Sequence, residues 1–159
     1  MSNRGPHIAR VMEKAAQAAE DDKYVHRNLE RKGFTLVRKG TRKEDRYQAR
    51  DYLWERNGQQ IWFDYKGTDR DIDFFTVQHT HLQRWRQGYF DKLPDLYAMY
   101  TVKRHKNTVS IKYIHPDELF QNIEDHGEFV QKYQKKPNGA MQANHYWKVP
   151  KNLFTFEWL

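Results

Sequence analysis

The chain has 159 residues, no cysteine and a formal charge of +7, from 28 Lys and Arg against 21 Asp and Glu. Aromatic residues reach 15%, too many for a disordered chain, and no apolar run approaches the length of a transmembrane helix. The missing cysteines exclude disulfides, thiolate catalysis and cysteine-ligated zinc. The N-terminal MSNRGPHIARVMEKAAQAAEDD has no long apolar stretch, so a cytoplasmic protein without a secretory signal is expected. The basic surplus points to a polyanionic partner, nucleic acid first.

No repeat or linker divides the sequence, so a single domain over 1–159 is expected, with a core at about 8–115 and a C-terminal extension at 116–159. From Pro6 the apolar residues Ile8, Val11, Met12, Ala15, Ala19, Val25 and Leu29 recur at helical spacing. Gly33 stops that helix, and a second N-terminus at Glu20-Asp21-Asp22 would break it. Phe34–Arg38 is β-prone, and Lys39 to Arg46 reads as a polar loop. Arg50–Arg56 and Gln60–Lys66 form two strands around Asn57-Gly58, a strong type I′ hairpin turn. After a polar loop from Gly67 to Asp73, Thr76 can cap a helix over Val77–Tyr89. Strands at Leu96–Lys103 and Thr108–Ile114 follow, then a short helix opened by Pro116-Asp117-Glu118. The tail from Gly127 looks less regular. The class is α/β with a mixed sheet.

Chemistry concentrates between Asp51 and Lys66. Asp64 and Lys66 are two apart on one strand and share a face. The Asn-Gly turn brings Asp51, at the start of the partner strand, to the same end of the hairpin. Two carboxylates meeting there repel each other, and burial raises their pKa values further. A divalent cation relieves this. Mg²⁺, with Mn²⁺ as a substitute, accepts one or two carboxylates and keeps water and phosphate oxygens as its other ligands. The lysine can orient or deprotonate an attacking water and neutralise transition-state charge, so a phosphodiester is the natural substrate. Asp-x-Lys alone most often marks a solvated strand face. The hairpin pairing, the apolar flanks and the following Gly67 favour the metal site.

Asp51, the hairpin and Asp64-Tyr65-Lys66 together resemble the PD-(D/E)XK, or restriction-endonuclease-like, nuclease superfamily. The resemblance covers roughly residues 20–115. It implies an αβββαβ core with a mixed central sheet flanked by helices, and a DNA endonuclease of junction-resolving, homing or restriction type. In that family a first helix often adds an acid ahead of a glycine. Asp22, eleven residues before Gly33, occupies the spacing of the small phage and archaeal Holliday-junction resolvases, with Glu20 as its substitute. Asp22 also falls on the apolar stripe of its helix. Gln78 is implied as a contact to phosphate or to the site water. Two positions depart from the pattern: Arg50 stands where the motif has proline, and Asp64 where glutamate is commoner. A homodimer is implied, since two strands must be cut, and a phage-encoded chain would act in the host cytoplasm.

Three basic clusters are expected to bind the backbone of duplex or branched DNA. They are Arg38, Lys39, Arg42, Lys43 and Arg46; Arg84 and Arg86 around Trp85; and Lys103, Arg104 and Lys106 at a strand–strand tip. His79 and His81 read as surface imidazoles near that DNA. Asp69, Asp71 and Asp73 read as a mobile loop beside the site. Two rivals remain: a catalytically silent basic module that holds nucleic acid, and an RNA-directed nuclease on the same scaffold.

Overall fold

Consecutive buried residues on the two central strands, Gln59–Thr68 and Leu96–Lys103, set the architecture. The computed structural model describes residues 5–68 and 72–159, with side chains from residue 16 onward. The element order is α1 (Gly5–Arg31), β1 (Thr35–Lys39), α2 (Arg42–Gln48), β2 (Tyr52–Arg56), β3 (Gln59–Thr68), β4 (Phe74–Gln78), α3 (His79–Arg86), β5 (Leu96–Lys103), β6 (Thr108–Ile114), α4 (Pro116–His126), β7 (Glu128–Lys135) and β8 (Met141–Pro150). A five-stranded sheet runs in the order β1-β2-β3-β5-β6, and a three-stranded sheet in the order β4-β8-β7. The large sheet is mixed: β3 pairs parallel with β5, and every other pair is antiparallel. The chain is thus α/β, with a mixed central sheet between helices.

The central strand β5 buries both faces, as a strand covered on two sides must, while the edge strand β1 is exposed along its length. On β5, Leu96, Ala98, Tyr100 and Val102 pack with Val25 and Leu29 of α1. Tyr97 and Met99 point the other way, into a core with Leu82 of α3 and with Leu119, Phe120 and Ile123 of α4. That second core also takes Phe75 and Val77 of β4, Val149 of β8 and Phe154. The 116–159 segment therefore supplies core residues as well as surface.

The hairpin turn forms as expected: Asn57 and Gly58 have φ of 53° and 78°, the signs a type I′ turn requires. The strands predicted at Leu96–Lys103 and Thr108–Ile114 form at those bounds. Four expectations need correction. Helix α1 runs unbroken through Glu20-Asp21-Asp22. The expected loop from Lys39 to Arg46 contains α2, started by a capping box in which Thr41 and Glu44 bond each other's backbone N–H. The helix expected over Val77–Tyr89 is instead a strand followed by a shorter helix. Phe75 and Val77 are buried while Thr76 is exposed, a period of two that suits pairing with β8. The irregular tail is an antiparallel β7–β8 hairpin. Asp69 and Asp71 lie outside the described residues.

Candidate active site

The start of the β2–β3 hairpin fixes the acidic pair. The backbone N–H of Asp51 donates to the Phe63 carbonyl at 2.9 Å. The Tyr65 N–H donates to Asp51 Oδ2 at 2.8 Å, so the strand backbone itself aims this carboxylate. Tyr52 is in register with Phe63, which sets Asp51 opposite Asp64. Phe63 and Tyr65 pack toward α1, so by strand alternation Asp64 and Lys66 face the side of α3.

Asp64 is only 5% exposed. Its Oδ2 is buried and makes no hydrogen bond. Lys66 Nζ lies 3.2 Å from that oxygen, an ion-pair distance whose alignment does not make a hydrogen bond. Burial drives the Asp51 pKa far above the usual carboxylate range. The charge on Asp64 adds to this, as does hydrogen bonding with Asp45 and Asp64, while the Tyr65 N–H opposes it. Asp45, on α2, is a member the sequence reading missed. The Thr41-x-x-Glu44 pattern was the available signal, because it starts the helix that carries Asp45.

Asp22 approaches from α1. Its carboxylate accepts from the Tyr52 hydroxyl at 2.8 Å and from the Tyr100 hydroxyl at 3.0 Å. Burial raises its pKa against the lowering effect of both tyrosines, His26 and Lys39. Asp22, Asp45 and Asp51 share a cavity of about 500 Å³ with Lys39 and Arg42. Glu20 pairs with Lys23 at the surface, at 2.8 Å. Gln78 is exposed and starts α3 without a side-chain cap. It lines a second, larger cavity of about 1160 Å³, which also holds Lys66.

Among the described residues, no three Asp, Glu or His side chains converge as a ready cation cage. The acidic pair nevertheless fits a hard cation. Asp64 offers a buried oxygen with no hydrogen bond, and Asp51 stands opposite it. A Mg²⁺ site built on one or two carboxylates completes its shell with water and phosphate.

The cationic residues divide. Arg38 makes a bidentate pair with Glu44 at 2.7 and 3.0 Å, and Arg86 another with Glu124 at 2.5 and 3.0 Å. Arg104 donates to Asp21 at 2.6 Å, and Arg84 to the Lys92 carbonyl at 3.2 Å. These four guanidinium groups have structural partners. Lys43, Arg46 and Lys106 are exposed, and Lys103 lines a separate cavity beside Lys112 and Lys151.

His81 is not a surface imidazole. It is 6% exposed, its Nδ1 is 2.9 Å from the Tyr97 hydroxyl and 4.0 Å from Asp64 Oδ2. Burial lowers its pKa well below the ordinary value, with Lys66 and Arg84 adding to the effect, so it backs the site as a neutral ring. His79 is half-buried and accepts from the Trp147 indole N–H at 2.9 Å. No protein-family model, curated protein or solved structure matches this chain.

Proposed function

We propose that this protein is a Mg²⁺-dependent DNA endonuclease of the PD-(D/E)XK kind. One observation carries the reading. Two carboxylates stand opposite each other on a hairpin, a lysine is 3.2 Å from one of them, and the buried oxygen beside that lysine has no hydrogen bond. As bare structure this arrangement is costly, because like charges are held together away from water. The order of elements supports it too. With α2 and β4 set aside as insertions, α1, β1, β2, β3, α3 and β5 run αβββαβ.

Asp51 and Asp64 would hold the cation. When bound it supplies Lewis acidity and an activated water at neutral pH. The chain's own residues do the rest. The Tyr65 N–H holds Asp51 in place, and Tyr52 and Tyr100 hold Asp22 on the α1 side of the sheet, in the cavity it shares with Asp51, as an outer acid. The Lys66 ammonium orients the attacking water and neutralises charge that builds on the phosphoryl oxygens, the kind of preorganised electrostatic help that is worth about 10²–10³ in rate.

Supercoiled plasmid and branched DNA, incubated with Mg²⁺ or with EDTA, test the reading. Nicked and linear products are expected with Mg²⁺ or Mn²⁺ and none with EDTA. Asp64→Ala and Lys66→Ala should each lose at least about 100-fold. Equal cleavage by the wild type and both variants would remove the mechanism. Faster cutting of RNA than of DNA would reassign the substrate.

A further inference from the structure

The groove of about 1160 Å³ that holds Lys66 lies between the end of β3, the start of α3 and one face of the β4-β8-β7 sheet. We propose that this groove binds the DNA strand whose phosphodiester reaches Lys66, and that the β7–β8 hairpin is its wall. The proposal deepens the endonuclease reading and rests on it. It names a surface that the basic clusters picked out in the sequence do not include.

Charge is the first argument. Lys66, Lys132 and Lys148 line the groove together with His79 and His145, and among its described lining residues there is no Asp or Glu. Three lysines on one groove make a cationic track for a polyanion. Strand alternation is the second. Lys132 is in register with Asn144, Tyr146 with Gln78 and Lys148 with Thr76. Asn144, Tyr146 and Lys148 therefore share one face of β8. Trp147 and Val149, on the opposite face, join the apolar core or pack against it. One face of the small sheet thus supplies core residues. The other, on which Glu128 is in register with Lys148, presents Lys132, Lys148, Gln78, Asn144 and Tyr146 to the groove. That is the mixture with which proteins follow a nucleic-acid backbone and stack a base. The start of α3 adds a third feature. Gln78 gives no side-chain cap, so its side chain does not occupy the first N–H groups of the helix, the groups that suit a phosphate.

The test is binding of a fluorescein-labelled DNA oligonucleotide, single-stranded and as a duplex, followed by anisotropy in EDTA so that no cleavage intervenes. Lys132→Ala/Lys148→Ala is compared with Lys23→Ala/Lys92→Ala, which removes the same charge outside the groove. The groove variant should bind at least tenfold more weakly at moderate salt. The slope of log K against log salt should become shallower by about 1.4–1.8, the change expected for two phosphate contacts, while the control stays close to wild type. Loss of binding in the groove variant supports the proposal even if no DNA is ever cut, in which case the endonuclease reading alone fails. Wild-type affinity and slope in the groove variant overturn the proposal, whether or not cleavage is seen. Absence of DNA binding by the wild-type protein also overturns it.

Discussion

Replacing Asp51 by Asn should make the metal-free protein more stable at neutral and alkaline pH. In the unfolded chain this carboxyl ionises near pH 4. In the folded protein its pKa is raised by burial and by the Asp64 charge. Between the two values the unfolded state has released a proton that the native pair retains, so stability falls as pH rises. The slope is at most about 1.4 kcal/mol per pH unit, a ceiling of about 2.7 kcal/mol between pH 5 and 7. Asp51 is only partly buried, and solvent screening reduces the effect to about half of that ceiling. Asn keeps the shape and cannot ionise. The assay is urea unfolding followed by tryptophan fluorescence in EDTA at pH 5, 6, 7 and 8. The readout is the difference between wild type and variant, because His26 and His81, whose lowered pKa values act with the opposite sign below pH 6.5, cancel in it. The difference should grow with pH in favour of Asp51→Asn and reach about 1–2 kcal/mol at pH 8. Millimolar Mg²⁺ should then stabilise the wild type more than the variant. A constant difference across the pH range would refute the claim that burial and the Asp64 charge raise the Asp51 pKa.

Three further outcomes follow from packing and capping. Glu44→Ala removes one half of the α2 capping box and the partner of Arg38, and should cost about 1 kcal/mol in urea unfolding at pH 7. The Glu44 pKa is held down at about 2, so its contribution is present above pH 4.5 and fades as pH falls toward 2; the wild-type and variant curves should converge there. Tyr97→Phe leaves the buried His81 ring without its hydroxyl partner and should lower stability by about 1–3 kcal/mol. Gly67→Ala should be destabilising by a similar amount, because a Cβ there would run into the Tyr100 ring and push away a hydroxyl that holds Asp22.

How far the sequence could be read depended on whether a local signal existed. The β2–β3 hairpin was legible because Asn57-Gly58 fixes both the turn and the register, and the register brings Asp51 to Asp64. The β5 and β6 strands were legible from their unbroken β-prone runs. The β7 strand was not. Seven of its eight residues are exposed, so the ladder with β8 holds it and no hydrophobic period marks it. The β4 strand was hidden by Thr76, which reads as a helix cap, although the strand is stabilised by pairing with β8 some seventy residues away. Asp45 is hidden because KGTRKEDR is uniformly polar, and only its Thr41–Glu44 spacing marks a helix there. The burial of His81 depends on Tyr97, which arrives from another strand, and no pattern within QHTH reports it.

Electron paramagnetic resonance of Mn²⁺ titrated into the wild-type protein and into Asp51→Asn/Asp64→Asn tests the central claim most directly, because it reads the ion and not the reaction. The wild type should bind Mn²⁺ with an affinity that Mg²⁺ competes away, and the double variant should leave that ion free in solution. Equal Mn²⁺ binding by both proteins would mean that the acidic pair does not hold the cation.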